Sequence, residues 1–213
     1  LEKAVLFFQN YLQELWKAID YVTREFVVFS SPNHNSFAGI NHHGTAYFNT
    51  ENRLVSPIFF IDDIAHQCGH VIFNVLTLKT SDFLRVPKKT LLRDFTNDIN
   101  ENRDVYGAFH GLYTYSITVI SLRRVIEKKE LFTEEHITEA KARLGFYMQK
   151  FDIDLKNMGN RDILTDLGLE YYNIFYKTYE FVRENYRCQF IHFTYNNQPY
   201  IFDFEAFKKE NHI

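Results

Sequence analysis

The sequence Ser56-Pro57-Ile58-Phe59-Phe60-Ile61-Asp62-Asp63-Ile64-Ala65-His66-Gln67-Cys68-Gly69-His70-Val71-Ile72-Phe73-Asn74-Val75-Leu76 combines an apolar helical pattern with two histidines four residues apart. Its apolar residues recur at intervals of three and four, which predicts a core-facing helix from about Pro57 to Leu78. Proline is favoured in the first turn of a helix. Residues four apart lie one turn above one another on the same face, so the imidazoles of His66 and His70 can reach one metal ion.

The motif His66-Gln67-Cys68-Gly69-His70 matches the zinc-peptidase pattern His-Glu-x-x-His at both histidines but not at the glutamate. In those enzymes the glutamate takes a proton from a metal-bound water. The amide of Gln67 cannot act as that base. The motif therefore predicts a metal-binding pair without the hydrolytic base.

The composition is that of a soluble globular protein. The chain has 213 residues, a formal net charge of −3, 46% hydrophobic residues and 24% charged residues. The length predicts a single domain over 1–213, and the charge predicts neither a nucleic-acid partner nor a membrane surface. We find no signal peptide and no run of 18 apolar residues. Only Cys68 and Cys188 occur, and Cys68 falls on the core side of the motif helix, which predicts a reduced, cytoplasmic protein.

Periodicity and turn residues divide the rest of the chain into further elements. Predicted helices cover 2–24, 57–78, from 91 or 97 to 129, 133–158 and 161–186; predicted strands cover 26–30 and 44–49, and a hairpin is predicted over 189–204. Thr133 is the expected N-cap of the third long helix. This order predicts an α+β fold that is mostly helical, with a zincin-like metal helix, a small sheet and a helical body. The metal-binding core would span about 44–125 and the helical C-terminal part about 130–213.

A catalytic metal needs a third protein ligand and open coordination positions, and His110 is the best candidate. It lies in an apolar helical segment between Gly107 and Gly111, whose small size allows another backbone or a cofactor to come close. One predicted helix face gathers Arg103, Tyr106, His110, Tyr113 and Thr114. The alternative is that His66 and His110 are core histidines bonded to backbone. For the three histidines together, the pattern favours a metal.

The segment 44–115 resembles the core of the 2-oxoglutarate/Fe(II)-dependent HExxH-type peptide β-hydroxylases, which act in the biosynthesis of ribosomally made, post-translationally modified peptides. That family has a strand, the two-histidine helix, and then an arginine before a Leu-His-Gly-Val-Tyr-Ala-Phe block. In this chain Arg103 stands at the same offset before Phe109-His110-Gly111-Leu112-Tyr113-Thr114-Tyr115. The match in spacing over two separate blocks is what makes the resemblance specific.

The chain departs from the family pattern at three positions. Gln67 replaces the usual glutamate, and Asn102 and Asp104 replace the prolines that flank the arginine. Loss of the glutamate would disable a hydrolase, but O₂ chemistry at Fe(II) does not depend on a base that activates water.

The resemblance implies that His66, His70 and His110 ligate Fe(II). The usual non-haem iron site has two histidines and one carboxylate, so a set of three histidines would be a departure. Glu101 and Asp104 are the possible carboxylate substitutes. No catalytic residue is predicted beyond the metal centre.

The resemblance also implies 2-oxoglutarate and O₂ as cosubstrates. The distal carboxylate of 2-oxoglutarate calls for a bidentate arginine. Arg103 is the first candidate and Arg123 the second, with Tyr113 as a further cosubstrate contact. The alternative for Arg103 is an ion pair with an Asp or Glu at the start of the helix. A peptide substrate would lie along the strand over 44–49, by analogy with the zinc peptidases.

These expectations lead to one main functional hypothesis and two alternatives. The main hypothesis is an Fe(II)/2-oxoglutarate-dependent oxygenase that hydroxylates a β carbon of a residue in a ribosomal peptide. The first alternative is a zinc metallopeptidase of altered mechanism, with Glu101 or another carboxylate as its base. The second is a non-catalytic peptide-binding relative. The sequence leaves the peptide and the oligomeric state open.

Overall fold

A two-stranded sheet and a helical body make up the structure, a computed structural model that describes residues 1–96, 99–159 and 162–213. Helices account for 63% of the described residues, which confirms the α+β, mostly helical prediction. The helices are α1 (Glu2–Tyr11), α2 (Gln13–Val22), α3 (Pro57–Leu76), α4 (Val105–Glu127), α5 (Glu134–Met158), α6 (Asp166–Tyr186) and α7 (Phe204–Asn211). The strands β1 (Glu25–Phe29) and β2 (Thr45–Asn49) pair in parallel, with Glu25 opposite Thr45.

Helix α3 is the helix predicted from the two-histidine stretch, and it ends two residues earlier than expected. Ser56 caps its N-terminus by accepting a hydrogen bond from the backbone N–H of Phe59 at 2.9 Å, and Pro57 occupies the first turn. At the other end the Thr77 hydroxyl donates to the Phe73 carbonyl at 2.6 Å. Most of α3 is buried, including Cys68, whose thiol is free.

The first predicted helix is in fact two. The prediction of one helix over 2–24 was wrong because the backbone leaves the helical region at Leu12, where φ is −135°. The break lets α1 and α2 pack separately against α3. Phe8 of α1 and Ile19 of α2 are both fully buried as a result.

Helix α4 begins at Val105 and not at 91 or 97. Asp104 caps it by accepting from the Gly107 backbone N–H at 2.7 Å. Residues 92–94 form a separate short 3-10 helix, whereas Asn97 and Asp98 lie outside the described residues. Arg103 therefore precedes the helix, and its predicted place on the α4 face was wrong.

The two helices predicted in the C-terminal third are present as α5 and α6. Thr133 caps α5 as expected, by accepting from the His136 backbone N–H at 3.3 Å. Helix α6 begins at Asp166 behind a Thr165 cap, and the predicted start at Arg161 lies outside the described residues.

The predicted hairpin was wrong. All of 189–204 is described, and no strand occurs in it; a 3-10 helix at 187–189, turns and the start of α7 take its place. Asp203 caps α7 by accepting from the Ala206 backbone N–H at 2.9 Å. Two phenylalanines of the segment, Phe202 and Phe204, pack instead on α5 in a small cluster with Phe146 and with Phe207 of α7.

The main core lies between α3, α4 and α5, with α1, α2 and α6 around it. Gly69 lets α3 and α4 approach closely, because a Cβ at this position would lie 2.4 Å from Ile117 Cδ1. That approach brings the histidines of α3 next to the histidine of α4. None of the helices in the described ranges is long and apolar enough to cross a membrane.

Candidate metal site

The three predicted ligands, His66, His70 and His110, stand together across the α3–α4 interface, and we call them the histidine cluster. The ring centroids of His66 and His70 are 4.9 Å apart, as expected one helical turn apart, and those of His70 and His110 are 4.7 Å apart. His70 Nδ1 and His110 Nε2 share a hydrogen bond of 3.0 Å. His110 is buried behind His70, while His66 and His70 are partly exposed and line a cavity.

Burial keeps the histidine cluster uncharged. It lowers the pKa of His66 to about 4 and the pKa values of His70 and His110 to about 3, and each imidazole disfavours a charge on its neighbour. All three rings are therefore neutral at pH 7, which is the form in which imidazole ligates a metal.

The donor chemistry of the cluster fits a divalent transition metal. The Nδ1 atom of His66 is buried and has no hydrogen-bond partner, which is costly unless a ligand satisfies it. In the described ranges, no three or more His, Cys, Asp or Glu side chains are arranged as a ready-made metal site. In the hydrogen bond between His70 and His110, one ring donates a proton to the other. A shared metal would have to replace that hydrogen bond.

The cavity beside the cluster has a volume of about 300 Å³ and polar as well as aromatic walls. Its wall includes Asp63, His66, Gln67 and His70 from α3, Gly107, Gly111, Thr114 and Tyr115 from α4, and Phe146, Tyr147 and Lys150 from α5. Residues 35–38, Arg53, Arg103, Tyr200 and Ile201 complete it. Gln67 thus occupies the cavity wall where a zinc peptidase would present its glutamate.

Arg103 lines the cavity, but its guanidinium is already bound to two carboxylates. Nη1 and Nη2 donate to the two oxygens of Asp154 at 2.7 and 2.6 Å, and Nε donates to Glu101 at 2.9 Å. Both carboxylates are buried. The positive charge of Arg103 is therefore balanced by the carboxylates of Glu101 and Asp154.

The other two residues predicted to bind cosubstrate lie elsewhere. Tyr113 stacks on Phe73 with ring centroids 4.7 Å apart and does not line the cavity. Arg123 lies 13 residues beyond His110 on α4, which is about 20 Å along the helix axis. It packs over the Phe181 ring and pairs with Glu127 at 3.4 Å. The structure does not bring these two residues to the histidine cluster.

The two carboxylates predicted as possible metal ligands, Glu101 and Asp104, already bind other groups of the protein. Glu101 accepts from Arg103, which holds the pKa of the Glu101 carboxyl below its usual value. Asp104 caps α4 and pairs with Lys89 at 2.9 Å.

Sequence reasoning missed Asp63, the carboxylate of α3 that reaches the cavity. It lies one turn before His66 and accepts a 2.5 Å hydrogen bond from the Ser36 hydroxyl. Burial raises its pKa to about 7, with the nearby Asp62 carboxylate adding to the effect. The spacing of three to His66 was visible in the sequence and could have identified it.

Sequence reasoning also missed the part of α5 that faces the site. Tyr147, Lys150 and Asp154 recur at intervals of three and four and face α3 and α4. On the sequence alone such a stripe is typical of a solvated helix face.

The outer edge of β2, where a peptide substrate was expected, is partly occupied by the chain itself. Phe37 and Tyr47 exchange backbone hydrogen bonds of 3.0 and 2.9 Å, and the Asn49 N–H donates to the Ser36 hydroxyl at 3.0 Å. The segment 36–37 therefore bonds to β2 and also lines the cavity.

No protein-family model matches this chain, and none of the curated proteins is significantly similar to it. The resemblance to the peptide β-hydroxylases therefore depends on the residues and spacings quoted above.

Proposed function

We propose that this protein is an Fe(II)/2-oxoglutarate-dependent oxygenase that hydroxylates a carbon, by the resemblance a β carbon, of a residue in a ribosomal peptide. The observation that carries the proposal is the convergence of three imidazoles, two of them at the wall of a polar cavity and one with a nitrogen that lacks a hydrogen-bond partner. A zincin-like arrangement is part of the proposal, since α3 carries the histidine pair and packs against β2.

The residues of the site are proposed to have three different roles. His66, His70 and His110 would hold the iron, and bound iron with 2-oxoglutarate supplies the chemistry that reduces O₂ and releases succinate and CO₂. Gln67 offers an uncharged amide at the cavity wall, so no strong base is present at that position to activate water. The rings of Tyr115 and Tyr147 form the apolar part of the wall and would position a substrate C–H bond away from bulk water.

The peptide is proposed to enter beside Phe37 and Tyr200, two exposed residues of the cavity wall. Binding along the outer edge of β2 itself would require displacement of Phe37 from Tyr47. Entry beside Phe37 would leave the hydrogen bonds of β2 intact.

The experiment that tests this function needs no knowledge of the peptide. Protein supplied with Fe(II), 2-oxoglutarate and O₂ should release succinate slowly even without substrate, and His70→Ala should abolish the release. His192→Ala is the matched control, because His192 is exposed and lies outside the cavity. Equal succinate release by wild type and His70→Ala would contradict the proposal.

Asp63 supports one alternative function, a zinc-dependent hydrolase. Its pKa near 7 suits a general base or acid, and it lies on the same cavity wall as the histidines. This alternative predicts tightly bound zinc and peptide cleavage that proceeds without O₂ and is lost in Asp63→Asn. Absence of cleavage by zinc-loaded wild-type protein would remove it.

A further inference from the structure

Lys150 is a cation at the cavity wall with few partners of its own. Its ammonium donates one hydrogen bond, to the carbonyl of Tyr200, and lies over the rings of Phe146 and Tyr200 at 4.5 and 4.2 Å from their centroids. An ammonium has three N–H donors, so two remain for a ligand.

Two other basic groups that reach the interior around this cavity, Arg103 and Arg143, are paired with carboxylates, whereas Lys150 is not. Arg103 binds Glu101 and Asp154, and Arg143 binds Asp62 and Glu139. Among the described residues, no carboxylate lies within ion-pair distance of Lys150, so its charge is balanced only from farther away.

Arg53 adds a second positive charge to the same cavity. It is partly buried, lies 6.0 Å from the Phe59 ring centroid, and forms no ion pair within the described ranges. Two cations without a contacting carboxylate, in a cavity of about 300 Å³, make a site for a small anion.

We propose that Lys150 is the anion-binding residue of this cavity and holds the distal carboxylate of a small dicarboxylate, the role that the family resemblance gave to Arg103. This inference rests on the proposed function for the identity of the ligand, 2-oxoglutarate. The carboxylate subsite itself follows from the contacts of Lys150.

The electrostatics of the cavity agree with this placement. The charge of Lys150 helps to lower the pKa of His66, so the two side chains lie within interaction range across the cavity. Burial lowers the pKa of Lys150 to about 8, which leaves the ammonium charged at pH 7. A bound carboxylate would offset the cost of that buried charge.

The test uses metal-free protein and glutarate, a dicarboxylate that lacks the 2-oxo group and so needs no iron. NMR-detected titration should show saturable binding to wild type, and Lys150→Met should raise the Kd for glutarate at least tenfold. Lys150→Arg keeps the charge and should stay within a few-fold of wild type. Lys156→Met is the matched control, since Lys156 is an exposed residue of α5 that pairs with Asp152. Circular dichroism and a denaturant midpoint establish that each variant is folded.

The same variants separate this inference from the proposed function. If glutarate binding depends on Lys150 but iron does not bind to the histidines, the anion site stands and the oxygenase proposal fails. If iron binds but Lys150→Met binds glutarate as tightly as wild type, the oxygenase proposal stands and the Lys150 inference is overturned. Failure of wild-type protein to bind glutarate also overturns it.

Discussion

Two buried polar clusters share helix α3 and differ in how they are held together, one by ion pairs and the other by a hydrogen bond between neutral rings. In the Arg143 cluster (Ser56, Asp62, Glu139 and Arg143), the guanidinium donates to Asp62 at 2.7 Å and to Glu139 at 2.9 Å, and Ser56 donates to Glu139 at 2.5 Å. Every charge there has an opposite charge in contact.

The histidine cluster forms no ion pair within the described residues; it has one internal hydrogen bond and a cavity at its side. Each cluster leaves one buried atom without a hydrogen-bond partner, Nδ1 of His66 and Oδ1 of Asp62. The comparison indicates that the Arg143 cluster holds the helices together, whereas the histidine cluster is available to a ligand. The predictions below test that division of roles.

The largest effect is expected from Arg143→Met, which leaves Asp62 and Glu139 buried without their cation. Removing one partner of a buried ion pair typically costs about 3–5 kcal/mol. Urea unfolding of the metal-free protein measures the loss. Arg183→Met is the matched control, because the Arg183–Glu180 pair is more exposed and should cost at most about 1 kcal/mol. Equal losses in the two variants would show that the Arg143 cluster is not structural.

Arg103→Gln should also destabilise the fold, but less. Asp154 and Glu101 are buried, whereas the Arg103 side chain is 36% exposed, so solvent screening reduces the expected loss to about 1–3 kcal/mol. Glutarate affinity should change little. If instead stability is unchanged and glutarate binding is lost, Arg103 is the cosubstrate anchor that the resemblance implies.

Asp63→Asn should change how stability depends on pH. The folded-state pKa of Asp63 is about 7 and its ordinary value is 3.8. The folded protein therefore holds a proton that the unfolded chain releases between those values, and the Asp63 contribution to stability rises as pH falls from about 7 towards 4. The charges that act on Asp63 are Asp62, which raises its pKa, and Arg53 and Arg143, which lower it.

The Asp63→Asn variant has no ionisable group at this position, so this dependence on pH is lost. At pH 8 Asp63→Asn should therefore gain stability relative to wild type, and the gain should shrink by about 2 kcal/mol on going to pH 5. Urea midpoints at both pH values measure it. Asp20→Asn, at an exposed residue of α2, is the control and should show no such change in its difference from wild type. A pH-independent difference for Asp63→Asn would contradict the raised pKa.

The smallest effect is expected from His66→Phe in metal-free protein. Phenylalanine keeps an aromatic ring, slightly larger than imidazole, beside Tyr115 and Tyr147, and the substitution removes a buried nitrogen that has no partner. Stability should stay within about 1 kcal/mol of wild type or increase, as is common when a functional polar group is replaced. A loss of several kcal/mol by thermal or urea unfolding would show that the histidine cluster is structural after all.

The sequence predicted the parts of the fold that depend on local pattern. Helix α3 follows from its apolar period and Pro57, and His66 and His70 share a face because helical geometry fixes it. His110 required the spacing to a second block, and its contact with His70 depends on how closely α3 and α4 pack at Gly69.

The remainder of the site depends on tertiary contacts that no local pattern reports. Glu139 and Arg143 are four apart and look like a surface ion pair, yet α3 buries both. The resemblance gives Arg103 a cosubstrate role, and no local pattern identifies Asp154, 51 residues later, as its ion-pair partner. The alternating pattern over 189–204 is typical of strands, but Phe202 and Phe204 pack on α5 instead.

The most direct test of the account is an anaerobic titration of the protein with Fe(II), with bound iron measured after desalting. If the histidine cluster is a metal site, wild type and the control His192→Ala should each bind one iron per chain. His70→Ala and His110→Ala should bind iron at least a hundredfold more weakly, and both variants should remain folded. Wild-type protein that binds no iron, or His70→Ala and His110→Ala variants that bind it as tightly as wild type, would contradict the central claim that the histidine cluster is a metal site.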